Sequence, residues 1–364
     1  MRTVRGRRPD IFVGLGDIIC ADDDCAATGR YGNAQVPGTF GPAVDLPTYW
    51  AHWRYSRADA GFQRLLEGTD YVGVWDDHEV LNDFGPFTDT GSAPPYTPGV
   101  HLMPIGLEAF LDYTPVASAQ DAPRRLYRSF RWGKHLELIV LDVRQYRDPN
   151  FEADTGPDPK TMLGREQLLW LKNELRTSDA TWKVIVSSVP MSIPTGFPAT
   201  NGRDGWANFD QATGYERELL EILGFMRAHG VRDSVWITTD VHFAEAFRYE
   251  PFDDSDFSVY ELATGPDERE DLPQPGLRPD ARPGTACVLR SAIVRGRDLV
   301  VRGKALVQLR RARVDPQRLA LDPDHQHGGR HRVRTDADAR RAVAGPAEAL
   351  AMMDPPLSCS VQAV

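Results

Sequence analysis

The sequence predicts an α/β fold on three observations. Five short apolar runs rich in Val, Ile and aromatic residues read as buried strands. Segments with apolar residues at helical spacing lie between them. The chain, 364 residues with 41% hydrophobic and 26% charged positions, is long and apolar enough to bury a large core. Strands alternating with helices build layered sheets and not a barrel of hairpins.

In chain order, the first strand is Asp10–Leu15, whose Ile11, Phe12 and Val13 lead into a Gly16-Asp17 turn. A helix is predicted over Tyr49–Leu66, with Trp50, Trp53, Phe62, Leu65 and Leu66 as its apolar positions. Tyr71–Trp75 is the second strand and Leu136–Leu141 the third. Gly164–Leu175 places Leu168, Leu171 and Leu175 on one helical face. Trp182–Ser187 is the fourth strand. Asp210–His229 is a helix carrying Leu219, Leu220, Ile222, Leu223 and Met226, and Ser234–Thr238 is the fifth strand. The Gly/Pro-rich stretches Gly29–Pro47 and Gly85–Pro104 read as long surface loops suited to substrate contacts.

Composition excludes several classes. No apolar run reaches the roughly 18 residues that span a bilayer, so no membrane span is expected. Four cysteines are too few for a disulfide scaffold. A net charge of -10 argues against nucleic acid as the main partner. All 8 Trp, 11 Tyr and 15 Phe lie at or before Tyr260, which divides a body, residues 1–266, from an Arg/Pro-rich tail, 267–364. The tail has one lysine, Lys304, and is net basic beside an acidic body. Three accounts fit it: a solvated appendage, a segment that binds an acidic surface or nucleic acid, or text that leaves its reading frame near Pro275. Within it, Ala286–Val294 and Leu299–Leu309 are apolar enough to pair as edge strands. Met1–Arg8 carries four arginines, but neither the apolar segment nor the cleavage site of an export signal follows. The sequence assigns neither a compartment nor an oligomeric state.

The chemistry is written directly after the strands. The first ends in Gly16-Asp17, the second in Asp76-Asp77-His78-Glu79, the third in Asp142 and Arg144, and the fifth in Thr239-Asp240-Val241-His242. In open α/β sheets ligands bind beyond the carboxyl ends of strands, so these groups are expected to share one crevice. Three carboxylates around one histidine repel one another unless a cation or hydrogen-bond donors compensate. Carboxylates with one or two imidazoles suit Ca²⁺, Mg²⁺, Mn²⁺ or Fe and not a thiolate zinc site.

These segments resemble the alkaline phosphatase D (PhoD-like) metallophosphoesterase family. The matching text is Gly16-Asp17, the helix Tyr49–Leu66, Trp75 to Glu79 with Asn82-Asp83, and Leu141 to Arg147. It continues through Leu163 to Gln167, Ser187 to Met191, Asp204-Gly205-Trp206 and Thr239 to His242, covering roughly residues 8–266. The resemblance implies a four-layer sandwich, two central sheets flanked by helices, and hydrolysis of small phosphate mono- or diesters. It implies metal ligation by Asp17, Asp77, Asp240 and His242. His78 takes the place of a phosphate contact and general acid, assisted by Asp77, and Asn82 and Arg144 those of substrate contacts. It implies metal ions as cofactors, Fe and Ca first, with Zn, Mn or Mg as alternatives.

Two departures stand out. Where the family carries a tyrosine three residues after the Gly-Asp aspartate, this chain has Cys20, a candidate metal ligand, a buried apolar residue, or half of a disulfide with Cys25. The family strand upstream of Gly-Asp, with its ligand, has no counterpart in the 16 residues before Asp17, and relatives are commonly exported. An inactive homologue that keeps the fold, and a metal-dependent hydrolase of another ester, are the competing expectations.

Overall fold

The computed structural model describes residues 8–25, 27, 36–38, 40–86, 99–116, 124–150, 152–195, 204–208, 213–241, 244–252 and 257–264, and strand backbone at 291–295, 298–301 and 312–313. The chain begins with β1 (Ile11–Leu15), α1 (Leu46–Arg57), α2 (Ala60–Leu66), β2 (Asp70–Val74), a 3₁₀ turn (Asp77–Glu79) and α3 (Gly99–Tyr113). It continues through β3 (Arg128–Trp132), β4 (Leu136–Val140), α4 (Gly164–Thr177), β5 (Trp182–Val186), α5 (Glu216–Ala228) and β6 (Ser234–Thr238). Five further strands follow: β7 (Glu245–Tyr249), β8 (Val259–Ala263), β9 (Ser291–Arg295), β10 (Asp298–Val301) and β11 (Ala312–Arg313).

Two sheets result. One has the order β11-β10-β9-β1-β2, and the other β3-β4-β5-β6-β8-β7. β1 and β2 are parallel, as are β4, β5, β6 and β8, while β3 and β7 form antiparallel edges. Successive side chains on a strand point to opposite faces, so each apolar strand splits its residues between two layers. Ile11, Val13, Leu15, Val72 and Val74 share one buried cluster with Leu138, Val140, Val184, Val186, Val235 and Ile237, which come from the other sheet. The alternate residues Ile139, Ile185 and Trp236 pack with Leu171 and Leu175 of α4 and with Leu219, Ile222 and Met226 of α5. Phe12 packs with Phe62 and Leu65 of α2. Each such large side chain contributes about 1.5–3 kcal/mol, and a one-residue slip would turn these sets to the wrong face.

All five expected strands form, but several boundaries differ. The single helix expected over Tyr49–Leu66 is two helices. Asp59 breaks it by accepting from the Phe62 N–H at 2.6 Å, which caps α2. Asp45 and Thr48 form a capping box that starts α1 at Leu46, inside the stretch read as the loop Gly29–Pro47. The loop expected over Gly85–Pro104 ends early, because α3 begins at Gly99; Pro104 lies in its second turn, where the missing N–H forfeits one helical bond. α5 begins at Glu216 and not at Asp210. β8 is masked in the sequence because Glu261 interrupts it, yet that buried carboxylate is satisfied by the Met191 N–H, Thr238 Oγ1 and Tyr249 hydroxyl at 2.6–2.8 Å. In the tail, β9 and β10 pair antiparallel and β9 joins β1, so tail backbone extends the first sheet. The remainder of the tail lies outside the described residues. No helix among them is long and apolar enough to cross a membrane.

Glu218 of α5 ties the helix to the turn before α4. It accepts from Thr161 Oγ1 at 2.6 Å and from the Met162 and Leu163 N–H groups at 2.6 and 3.1 Å. Burial nevertheless pushes its carboxyl up to about 7 from 4.5. The folded state therefore holds this proton more tightly than the unfolded chain does. Its contribution is complete below pH 4.5 and is lost as pH rises through about 7. The loss is roughly 3 kcal/mol, at 1.36 kcal/mol per unit. Denaturant melts of Glu218→Gln and wild type should diverge over that window, the wild type falling more steeply.

Candidate metal centre

The site gathers at the carboxyl ends of β1, β2, β4 and β6. Gly16 turns the chain out of β1 with φ +100°, and a Cβ there would lie 2.3 Å from the Asp76 Cβ, so only glycine fits. Asp17, Asp83 and Asp240 follow their turns in left-handed backbone, at φ 51°, 55° and 77°. Aspartate tolerates this region better than most residues, at a cost of order 1 kcal/mol each. Glu79 fastens the two loops: its carboxylate accepts from the N–H groups of Asp17 at 2.9 Å, Ile18 at 2.7 Å and Asp76 at 2.7 Å.

Among the described residues, four groups each bring their ligand atoms within 4.8 Å of one another: Asp17–Asp77–His78, Asp76–Asp77–Asp240, Asp77–Asp83–Asp204 and Cys20–Asp22–His78. Asp77 belongs to three of them. The structure thus brings together the expected Asp17, Asp77, His78 and Asp240. Cys20 joins Asp22 and His78, and this group shares His78 with the Asp17–Asp77 group. Cys20 and Cys25 are thiols and not a disulfide with each other. The Asn82 N–H donates to Asp22 Oδ2 at 3.0 Å. His242 lies outside the described residues. Asp76 belongs to the carboxylate run expected in the crevice, though not as a named ligand, and Asp22, Asp83 and Asp204 are members for which the sequence suggests no role.

Arg144, expected at the substrate, is fully buried, and all of its N–H donors are engaged within the protein. Nε and Nη2 donate to Asp76 Oδ1 at 2.9 and 2.5 Å. Nη1 and Nη2 grip Asp204 at 2.7 and 2.9 Å, and Nη1 also reaches the Phe84 carbonyl. Asp204 further accepts from Arg147 and from Asn150 Nδ2. Asp142 organises the loop after β4, accepting from Trp75 Nε1 at 3.0 Å and from the Arg144 and Gln145 N–H groups at 3.1 Å.

The electrostatics favour a cation. Burial and neighbouring carboxylates raise Asp76, Asp83 and Asp240 well above the ordinary carboxylate range, against the pull of Arg144. Asp76 Oδ2 and Asp240 Oδ2 are buried without a hydrogen-bond partner. Unsatisfied buried carboxylate oxygens that repel one another are the arrangement a hard cation relieves. The donor set therefore fits a metal. On the other side, His78 Nδ1 lies 2.7 Å from Asp22 Oδ1. Burial works against a charged imidazole, yet Asp22 and Asp77 outweigh it and raise His78 well above 6.5.

Comparison with known proteins identifies the family. The family model described as PhoD-like phosphatase matches residues 1–316. Alkaline phosphatase D of Bacillus subtilis (strain 168) is 26% identical over 251 residues, 64% of this chain and 41% of that protein. A solved structure described as "Structure of PhoD" aligns with a TM-score of 0.56 at 25% identity, covering 70% of this chain and 50% of that one. The chain thus matches half or less of the length of these relatives. With the match to the family model running from residue 1 to residue 316, the chain belongs to the PhoD-like phosphatase family.

Proposed function

We propose that this chain hydrolyses phosphate mono- or diesters with the help of metal ions, on a four-layer sandwich of helices and two sheets. The observation that carries this is the convergence of Asp17 and His78 on one side, and of Asp76 and Asp240 on the other, around Asp77. Asp17, Asp77, Asp240 and, with them, His242 would hold the metals, and the oxygen-rich set suits Ca²⁺ or ferric iron. When bound, such cations supply the positive charge that offsets a phosphate's repulsion of its nucleophile and make water more acidic.

The protein's own residues do the rest. Asp22 accepts from His78 Nδ1, which fixes the tautomer and leaves Nε2 for a phosphate or leaving-group oxygen. The paired carboxylate keeps the imidazole protonated, ready to donate as the ester bond breaks. Arg144 serves as the brace that holds Asp76 in place, since none of its donors is spare for a phosphate. Asn82 contributes by seating Asp22 through its N–H.

The test is His78→Ala, assayed on an aryl phosphate monoester and the matching diester. Turnover should fall by about 10²–10⁴-fold while metal per chain stays at the wild-type level. Metal lost in parallel with activity would make His78 a ligand instead of the proton donor. A wild-type protein that binds metal and hydrolyses carboxylic but not phosphate esters would overturn the substrate class.

A further inference from the structure

Glu261 is a carboxylate set in an apolar face. It stands in β8 in register with Trp236 of β6, and Val259 lies two residues before it. Trp236 and Val259 both belong to the cluster packed against α4 and α5. Glu261 is 0% exposed. A buried charge is costly unless hydrogen bonds satisfy it, and an apolar residue of similar volume would serve the core at least as well. What the carboxylate adds is direction, because its two oxygens reach three segments at once.

Oε1 accepts from Thr238 Oγ1 at 2.6 Å and from the Met191 N–H at 2.8 Å, and Oε2 accepts from the Tyr249 hydroxyl at 2.6 Å. The Tyr249 proton is thus committed to Glu261, so Ser192 Oγ, 2.5 Å from the same hydroxyl, is the donor in that pair. Thr238 is the last residue of β6 and lies two positions before Asp240. Met191 lies in the segment after β5, against which the Asp204 segment rests. There the Trp206 N–H donates to the Pro190 carbonyl at 3.2 Å and the Asp204 N–H to the Thr195 carbonyl at 3.4 Å. A Cβ on Gly205 would come within 3.3 Å of the Pro190 and Ile193 carbonyl oxygens, so the two backbones touch. Glu261 Oε1 therefore joins the backbone that leads into Asp240 to the backbone that supports Asp204. Those two carboxylates belong to different ligand groups that share Asp77.

We propose that Glu261 is a positioning residue for the metal centre: through Thr238 and Met191 it fixes where Asp240 and Asp204 stand relative to Asp77. The role rests on the reading that this carboxylate cluster holds metal. Carboxylates already held in place lose little freedom when a cation arrives, and supporting contacts of this kind typically carry about 10–100-fold in metal affinity. Glutamine can take over the task. Its carbonyl oxygen still accepts from Thr238 and Met191, and its NH₂ donates to the Tyr249 hydroxyl, which turns its own proton to Ser192 Oγ. Leucine cannot, and it leaves the Thr238 hydroxyl and the Met191 N–H without their acceptor.

The test is the Mn²⁺ affinity of the chelator-treated full chain, read from the electron paramagnetic resonance signal of free Mn²⁺. Glu261→Leu should weaken binding at least about tenfold, Glu261→Gln should stay within about threefold of wild type, and Thr238→Val should lie between Leu and wild type. Met226→Ala, which opens the same apolar cluster from α5, controls for lost stability: it should lower the metal-free Tm and leave Mn²⁺ affinity at the wild-type level. Wild-type affinity in Glu261→Leu, or in Thr238→Val where the Leu variant does not fold, overturns the role. So does a Glu261→Gln chain that binds no better than Leu, or an equal loss in Met226→Ala. A wild type that takes up no Mn²⁺ overturns the metal-centre reading and this role with it.

Discussion

Asp77→Ala is expected to lower kcat/KM by at least about 10³-fold, roughly 4 kcal/mol of transition-state stabilisation, and to cut bound metal per chain. The reason is its position: three of the four ligand groups include it, so its loss opens each of them. Asp77 is also favoured in its ionised form. Burial opposes its charge, but His78, Arg144 and the Asp83 N–H hold its carboxyl below the ordinary value, whereas Asp76 and Asp240 are raised. Metal that binds only the folded chain stabilises it by about 2.7 kcal/mol at a hundredfold excess over Kd. Chelation should therefore lower the wild-type Tm, and it should leave the Tm of Asp77→Ala nearly unchanged. Elemental analysis, steady-state kinetics and paired melts check all three. Wild-type metal content and activity in the variant would remove Asp77 from the centre.

The parts of this centre legible in the sequence are those fixed by strand ends. Asp17, Asp77, His78 and Asp240 follow β1, β2 and β6 within a few residues, with β1 and β2 parallel neighbours in one sheet and β6 in the other, and their ligand atoms meet around Asp77. Asp22 was hidden in the run Asp22-Asp23-Asp24, where no periodicity shows which carboxylate turns inward. Asp204 carries no local signal of a role, because what recruits it is Arg144, 60 positions away. That same long-range pairing explains the different placement of Arg144: a linear sequence shows a guanidinium near a site but not the buried carboxylates that take up its donors. The fold follows the same division. Strands with clean apolar runs were plain, whereas β3, rich in arginine, and β8, interrupted by Glu261, depend on partners that lie across the sheet. The break between α1 and α2 rests on a single capping aspartate, Asp59, which the helical periodicity of Tyr49–Leu66 conceals.

Arg144→Met should be the most destabilising single change at the site, at about 3–5 kcal/mol, because it leaves buried carboxylates without their counter-charge. Arg144, Asp76 and Asp204 are each 0% exposed. The guanidinium joins a carboxylate at the end of β2 to one in the segment before α5, and Arg147 and Asn150 close the same network on Asp204. Arg144→Lys keeps the charge but cannot reproduce the planar two-sided grip, so it should fall between wild type and Met. The double variant Arg144→Met/Asp76→Asn should recover part of the loss, since it removes one of the stranded charges together with its partner. Urea denaturation of the four proteins orders these effects. A double variant no more stable than Arg144→Met would mean that packing around the guanidinium stem, and not the unpaired carboxylate, carries the cost. If the ion pair carries it, Arg144 acts on catalysis only by fixing Asp76 beside Asp77 and Asp240. Arg144→Lys should then lose metal affinity and kcat together while KM for the ester changes little.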